Sequence, residues 1–462
     1  MTDAAEADPP EPVIVAMPAS TGIEPLQGFQ RQYAMYLLLG IYMINFLDRQ
    51  VVNILAEPIR NDLGLSDTQI GLMSGLAFAV FYTFLGLPIA RFAERANRPM
   101  IIGAAVAAWS GFTMVCGFAQ NFWQLALARI GVGIGEAGCT PPAHSLIVDY
   151  VPKDQRASAL AFYSMGTPLG GLLGLVLGGL IADAYGWRVA FMVAGAPGIL
   201  FAILAFFTLN EPRKQVAAQS ARLLATTATM GETLRVLFTK RTFWLIAFAA
   251  AVKAFIGYGH APFTASFFLR VHTEEVASLA RFFGVALGYN LQSVGFLGLA
   301  LGIMGGIAGA LGSLTGGWIA DRFGKNDLRA YMITPAIASL ITIPVYILAV
   351  SVDSAALALC ILVINGFLGT LWYGPVYSTG QGIVPTNMRA TASAVLLFVI
   401  NLIGLGLGPL LVGMLSDYFA NGIGMGPAQG VRWALMTSTL FGIAAFAMFW
   451  LARKTIREEM ES

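Results

Sequence analysis

Val151-Pro152-Lys153-Asp154-Gln155-Arg156-Ala157-Ser158-Ala159 and Val384-Pro385-Thr386-Asn387-Met388-Arg389-Ala390-Thr391-Ala392 are two versions of one pattern, 233 residues apart. Both read Val-Pro, three further residues, then Arg-Ala-Ser/Thr-Ala. Each opens a Gly-rich apolar stretch that ends in an acid, Asp183 in the first copy and Asp417 in the second, 234 residues apart. An offset of about half the chain, kept over more than thirty residues, is the mark of an internal duplication. The chain is therefore expected to consist of two related halves.

A second pair of segments supports the same division. Gly317-Trp318-Ile319-Ala320-Asp321-Arg322-Phe323-Gly324-Lys325 matches Ala90-Arg91-Phe92-Ala93-Glu94-Arg95-Ala96-Asn97-Arg98. Each has a small residue, then an acid followed by Arg, then a cation three positions on. Any loop on the basic side of a membrane collects cations, but matching acids at matching places need another reason. At helix ends such acids and cations pair with each other and with neighbouring helix termini. We read Glu94, Arg95, Arg98, Arg156, Asp321, Arg322, Lys325 and Arg389 as a cytoplasmic gate.

Composition fixes the solvent of these halves. Of 462 residues, 57% are hydrophobic and 11% charged, against about 25% charged in an ordinary soluble domain. That is too little charge to cover a core in water. Apolar segments of about twenty residues, the length a bilayer needs, fall at about 33–57, 68–91, 99–119, 122–149, 157–182, 189–209, 242–268, 294–320, 329–350, 355–383, 390–416 and 431–452. The expected fold is an all-α membrane protein of about twelve transmembrane helices in two pseudo-symmetric six-helix bundles. Residues 1–30 read as a disordered cytoplasmic tail, 31–209 and 242–453 as the bundles, 210–241 as a cytoplasmic linker and 454–462 as a second tail. The first residues lack the basic stretch and short apolar core of a signal peptide.

With both termini on one side, Lys and Arg divide 19 to 5 in favour of that side, with Arg49, Arg129 and Lys253 inside spans. The positive-inside rule then puts both termini in the cytoplasm, and the expected home is a bacterial inner membrane. The net charge of +2 gives no reason to expect nucleic acid. Cys116, Cys139 and Cys360 lie in apolar runs, and His144, His260 and His272 are scattered, so neither a metal nor a cofactor is expected. The absence of a Walker-type Gly-Lys-Ser/Thr loop argues against ATP-driven transport.

Charge at bilayer depth costs at least about 2.5–3.5 kcal/mol and marks function by default. Asp48 lies roughly 14 Å and Arg129 roughly 10 Å from the outer membrane face, at about 1.5 Å per residue. Glu136 lies two turns from Arg129 on the same helix face. These charges could merely fix helix packing. A transporter, however, needs a carboxylate whose charge changes and a cation that holds an anion, and the cluster supplies both. Burial favours the neutral carboxyl while a nearby Arg favours the charged one. We take Glu136 and Asp48 as proton-coupling residues, with Arg49, Arg129 and Asn45 binding substrate. Lys253, near the midplane of the seventh span, offers a second anion contact, with Tyr258, Asn365, Trp372 and Tyr373 lining the same cavity. His144 and His260 read as hydrogen-bonded helix residues. A membrane enzyme would need a nucleophile or metal constellation, and a channel an oligomeric pore; neither is visible.

Over most of the chain these features resemble the major facilitator superfamily. Asp321-Arg322 and its neighbours are similar to that superfamily's signature loop, from which the first copy departs at Ala90, Glu94 and Asn97. Arg129-Ile130-Gly131-Val132-Gly133-Ile134-Gly135-Glu136 resembles its Arg/Gly helix motif. Asn45-Phe46-Leu47-Asp48-Arg49, Glu94-Arg95-Ala96-Asn97-Arg98 and Gly133-Ile134-Gly135-Glu136-Ala137 resemble the Spinster family within it. That resemblance implies proton-linked transport of lysophospholipids or sphingoid lipids by alternating access, with a lysolipid or other small molecule, protons and the bilayer as partners and a monomer as the working unit. Drugs or small organic anions are the other substrate class that an Arg-containing cavity suits.

Overall fold

The computed structural model describes residues 25–93, 96–152, 155–212, 230–385 and 388–460. Glu94, Arg95, most of the central linker and most of the expected amino-terminal tail lie outside the described residues. No strand occurs among the described residues. Eleven helices there are long and apolar enough to cross a membrane. Spans one to three are Gly28–Leu63, Asp67–Ala93 and Arg98–Cys116; spans five and six are Ser158–Tyr185 and Trp187–Thr208. Spans seven to twelve are Arg241–Val271, Ser293–Gly324, Ala330–Ser351, Ala355–Gly382, Thr391–Gly422 and Gly426–Glu459. The twelfth crossing is span four, which is broken into Phe122–Glu136 and Thr140–Tyr150.

The break has a local cause. Thr140-Pro141-Pro142 opens the second piece, and two adjacent prolines supply no backbone N–H to the preceding turn. Glu136 is consequently the last residue of the first piece, at a helix end inside the bundle.

Sequence reading missed two shorter helices, one of them Met230–Thr239 within the expected linker. Thr273–Leu287 is an additional helix between spans seven and eight. It buries Val276, Ala280 and Gly284 while Phe282, Val285 and Leu287 are exposed. Its Glu275 accepts a hydrogen bond from the backbone N–H of Ala355 (2.6 Å), the first residue of span ten.

Packing divides the molecule unequally. At the end away from the termini, one continuous core joins both halves, from Val51, Leu55 and Phe191 to Phe263, Phe268 and Val431. At the terminus-bearing end there are two cores. One, in the amino half, centres on Trp109, Tyr150 and Tyr163. The other, in the carboxyl half, centres on Phe243, Met332 and Phe449. The cores thus merge at one end and separate toward the other, where span two still touches span eleven through Leu405 and through the rings of Phe84 and Phe398, 5.4 Å apart.

The duplicated Gly-rich helices make the closures. In span five, the positions of Gly170 and Gly174 press on the backbone of span one, and Gly179 presses on Val294 and Gly295 of span eight. In span eleven, Gly413 presses on Asp67 of span two. Small residues let helix backbones approach in this way. The acids that end the two helices have equivalent jobs. Asp183 accepts hydrogen bonds from the backbone N–H groups of Gln292 (2.8 Å) and Gly295 (2.9 Å), at the start of span eight. Asp417 accepts from those of Asp67 (3.1 Å) and Thr68 (2.8 Å), at the start of span two. Each acid therefore caps the N-terminus of a helix in the other half, where unpaired N–H groups and the helix dipole favour a negative charge.

Candidate functional site

Span one and span four bring the central charges together. Arg49 donates from Nε to Glu136 Oε2 at 2.7 Å, and its Nη2 lies 2.7 Å from the same oxygen. Glu136 is 1% exposed, and its Oε1 has no hydrogen-bond partner. The guanidinium of Arg49 stands over Phe46, Phe78 and Tyr82, with its carbon 5.1, 5.0 and 4.5 Å from the ring centroids. Arg129 approaches the same Phe78 ring at 5.2 Å. One aromatic ring thus serves two cations, Arg129 buried and Arg49 partly so, a contact worth about 2 kcal/mol when desolvated.

The remaining charges are left open. Asp48 is fully buried; its Oδ2 accepts from Thr113 Oγ1 at 3.1 Å, and its Oδ1 has no partner. Arg129, 2% exposed, has no partner at Nε or Nη1. Among the described residues no carboxylate lies within ion-pair distance of it. The neighbouring Asn45 is buried with a free Oδ1. Buried polar atoms without partners are uncommon in native proteins, and here they gather around one ion pair. The cation that sequence reading set above Glu136 on the same helix is not its partner; Arg49 from span one is.

The glycines of span four allow this crowding. A Cβ at Gly133 would lie 2.6 Å from the carbonyl oxygen of Phe78, and one at Gly135 would lie 2.6 Å from the backbone nitrogen of Trp109. Gly135→Ala should therefore overpack the contact of spans three and four, costing about 1–3 kcal/mol. A lower melting temperature in detergent checks this; an unchanged one would mean that the helices separate freely.

Residues expected to line one cavity divide among several places. Lys253 and Asn365 face a cavity inside the carboxyl half. Tyr258 packs against the cores of both halves. Trp372 is 3% exposed and belongs to the carboxyl-half core, stacked on Tyr373 at 4.2 Å.

The expected gate is also divided. Arg98 is fully buried and tied within the amino half. It donates to Asp149 (2.6 Å) and Ser145 (2.9 Å), and also pairs with Glu211. Asp321 accepts from Tyr331 Oη at 3.3 Å, within the carboxyl half. Among the described residues, Arg156, Arg322, Lys325 and Arg389 form no ion pair. Glu94 and Arg95 lie outside the described residues.

Sequence reading missed the charge cluster at the opposite end. Arg270 of span seven donates to Glu57 (2.8 and 2.6 Å) and to Asp67 (2.8 and 2.7 Å). Arg60 adds a contact to Asp67 at 3.0 Å, and Ser416 of span eleven donates to Asp67 at 2.5 Å. Arg270, Glu57 and Asp67 side chains are each 7% exposed or less. Four spans from both halves are joined at this point.

The sequence model of the Major Facilitator Superfamily matches residues 38–405. The chain belongs to the Major Facilitator Superfamily. Membership makes it a multi-pass membrane transporter of small molecules rather than an enzyme. This facilitator is 32% identical over 428 residues to an MFS-type efflux pump of Mycolicibacterium smegmatis, covering 92% of this chain and 94% of that one. It is 27% identical over 425 residues to Protein spinster homolog 1 of Xenopus laevis, covering 89% and 78% respectively. Among solved structures, it resembles a bacterial homolog of the human lysosomal transporter Spinster in an inward-facing, unoccupied conformation. The identity is 32% and the TM-score 0.82, over 95% of this chain and all of that one. The facilitator is thus Spinster-like in sequence and fold.

Proposed function

We propose that the protein is a proton-coupled secondary transporter working by alternating access, with Glu136 carrying the proton and Asp48 as its partner. The observation that supports this best is the buried Arg49–Glu136 pair beside unpaired Asp48 and Arg129 atoms. An anionic group entering between the halves competes with Glu136 for Arg49. A carboxylate that loses its cation at this burial is driven to its neutral form by taking a proton. Departure of the anion frees Arg49 to reclaim Glu136, and the proton leaves. Arg129, against the same Phe78 ring, and Asn45 also hold the substrate, and Tyr258 and Tyr373 face it from the carboxyl half. Once the far end opens, Asp321, Arg322, Lys325 and Arg389 close the terminus-bearing end against Arg156 and the first-copy loop, including Glu94 and Arg95.

The substrate in this reading is a lipid-like anionic or zwitterionic molecule, such as a lysophospholipid or a sphingoid phosphate. The aromatic sheath of Phe46, Phe78 and Tyr82 around a cation suits a molecule with an apolar body and an anionic end. Small organic anions or drugs are the second class, favoured by the likeness to an efflux pump. Reconstituted vesicles loaded with labelled lysophospholipid, sphingoid phosphate or small organic anions, with and without a pH gradient, test the choice. The lipid reading expects gradient-accelerated movement of the first two; acceleration of the small anions alone rejects it.

The protein works as a monomer in a bacterial inner membrane with both termini in the cytoplasm, so the sealed end faces out. In a Cys360→Ser background, since the other two cysteines are buried, Ser278→Cys should react with impermeant reagent from outside. Lys454→Cys should react only from inside. Exchanged accessibility would reverse the orientation.

A further inference from the structure

The carboxyl half contains a partly open cavity of about 230 Å³ lined by spans seven, eight, nine, ten and twelve. Its polar lining comprises Lys253, His260, Thr264, Thr342, Tyr346, Asn365 and Thr439; among the described residues no Asp or Glu lines it. Lys253 is 7% exposed, and its one hydrogen bond is a long one, 3.4 Å to Thr342 Oγ1. The Thr342 hydroxyl itself donates to the carbonyl of Ser339 at 2.8 Å. An ammonium has three donors, so two remain unused in a low-dielectric wall. Tyr346 is 4% exposed with an unpartnered Oη, and Asn365 Oδ1 is buried without a partner. His260 is already committed: it stacks on Tyr346 at 4.3 Å and bonds Ser438 at 2.9 Å.

A buried cation without a counter-ion is costly, and unpaired buried hydroxyl and amide atoms add to that cost. We infer that this cavity is a second ligand site, separate from the Arg49–Glu136 pair, which takes a small anionic group. The anion, a carboxylate or phosphate, accepts from Lys253 Nζ and Tyr346 Oη. Asn365 Oδ1 requires a donor, so the ligand also carries a hydroxyl or N–H next to its anionic group. Ile256, Leu301, Met304 and Leu359 form the apolar wall. At 230 Å³ the cavity is below the usual range of about 300–1,000 Å³ for whole ligand sites. It therefore suits a small hydroxylated acid, or the headgroup of a larger molecule.

The inference deepens the transporter reading but is tested without transport. Binding to the purified protein is measured calorimetrically in detergent, with no gradient, using gluconate, glycerol 3-phosphate, inorganic phosphate and lysophosphatidate. Gluconate or glycerol 3-phosphate should bind at least tenfold more tightly than inorganic phosphate, which lacks the attached hydroxylated carbon. Tighter binding by lysophosphatidate would place a lipid headgroup there, within the same chemistry. Lys253→Met should weaken binding at least tenfold, and Tyr346→Phe, which removes only the hydroxyl, several-fold. Since Lys253→Met removes an unpaired charge, its melting temperature should hold or rise. If no probe binds, or if both variants bind as the parent does, the site is refuted, whatever Glu136 does in transport.

Discussion

Arg270→Ala is expected to open the sealed end of the molecule. Arg270 makes all the ion-pair contacts from the carboxyl half to Glu57 and Asp67 among the described residues. Without it, two carboxylates stay buried side by side, relieved only by Arg60 and Ser416. Breaking a buried pair by removing one partner costs about 3–5 kcal/mol. When that end is open, water reaches the same carboxylates, so the penalty falls on the closed state alone. At about 1.4 kcal/mol per decade, the equilibrium should shift toward the open form by two decades or more. Spin labels at the exposed positions Asn61→Cys and Asn421→Cys flank the seal, one on each half. Their separation should lengthen in the variant, while that between Ser158→Cys and Asn326→Cys at the other end shortens. Unchanged distances would mean that the Gly-rich contacts and the Asp183 and Asp417 caps hold the seal without Arg270.

Arg49→Ala should have the other large effect, because it leaves Glu136 buried without its cation, either charged and unpaired or neutralised by a proton taken from neutral solution. The expected loss is again about 3–5 kcal/mol of stability, together with the loss of anion-dependent transport. Arg49→Lys keeps the charge but not the planar fork that reaches Glu136 through two nitrogens, so it should retain stability better than activity. Glu136→Gln added to Arg49→Ala removes the stranded ionisable group. The double variant should therefore be more stable than Arg49→Ala alone, a non-additivity that a double-mutant cycle measures. Strict additivity would mean that the two side chains do not depend on each other.

Much of the fold was legible because bilayer-length apolar runs are local signals. Span one was read as 33–57 and runs over Gly28–Leu63, since a helix continues past the apolar run that reveals it. The helix Thr273–Leu287 was missed for the converse reason: it is amphipathic and too short to cross. The duplication correctly singled out Asp183 and Asp417, yet not their roles. Each caps a helix more than a hundred positions away, a relation no sequence window contains. Helix periodicity placed Arg129 and Glu136 on one face, but partner choice is tertiary, and Arg49 won. The break in span four was visible in principle, as Pro141-Pro142 just beyond Glu136. Trp372 read as a cavity residue because aromatic side chains suit both cores and binding walls; the packing of spans seven, nine and ten put it in a core.

The coupling account rests on Glu136, and Glu136→Gln tests it most directly. Gln keeps the volume and the neutral, protonated character of the side chain while removing the exchangeable proton. In vesicles, counterflow exchange needs the halves to cycle with substrate bound, whereas uphill uptake driven by a pH gradient also needs a proton to move. The variant is expected to retain exchange at a rate comparable to the parent and to lose gradient-driven accumulation. Accumulation equal to that of the parent would contradict the account and leave Glu136 as a structural partner of Arg49.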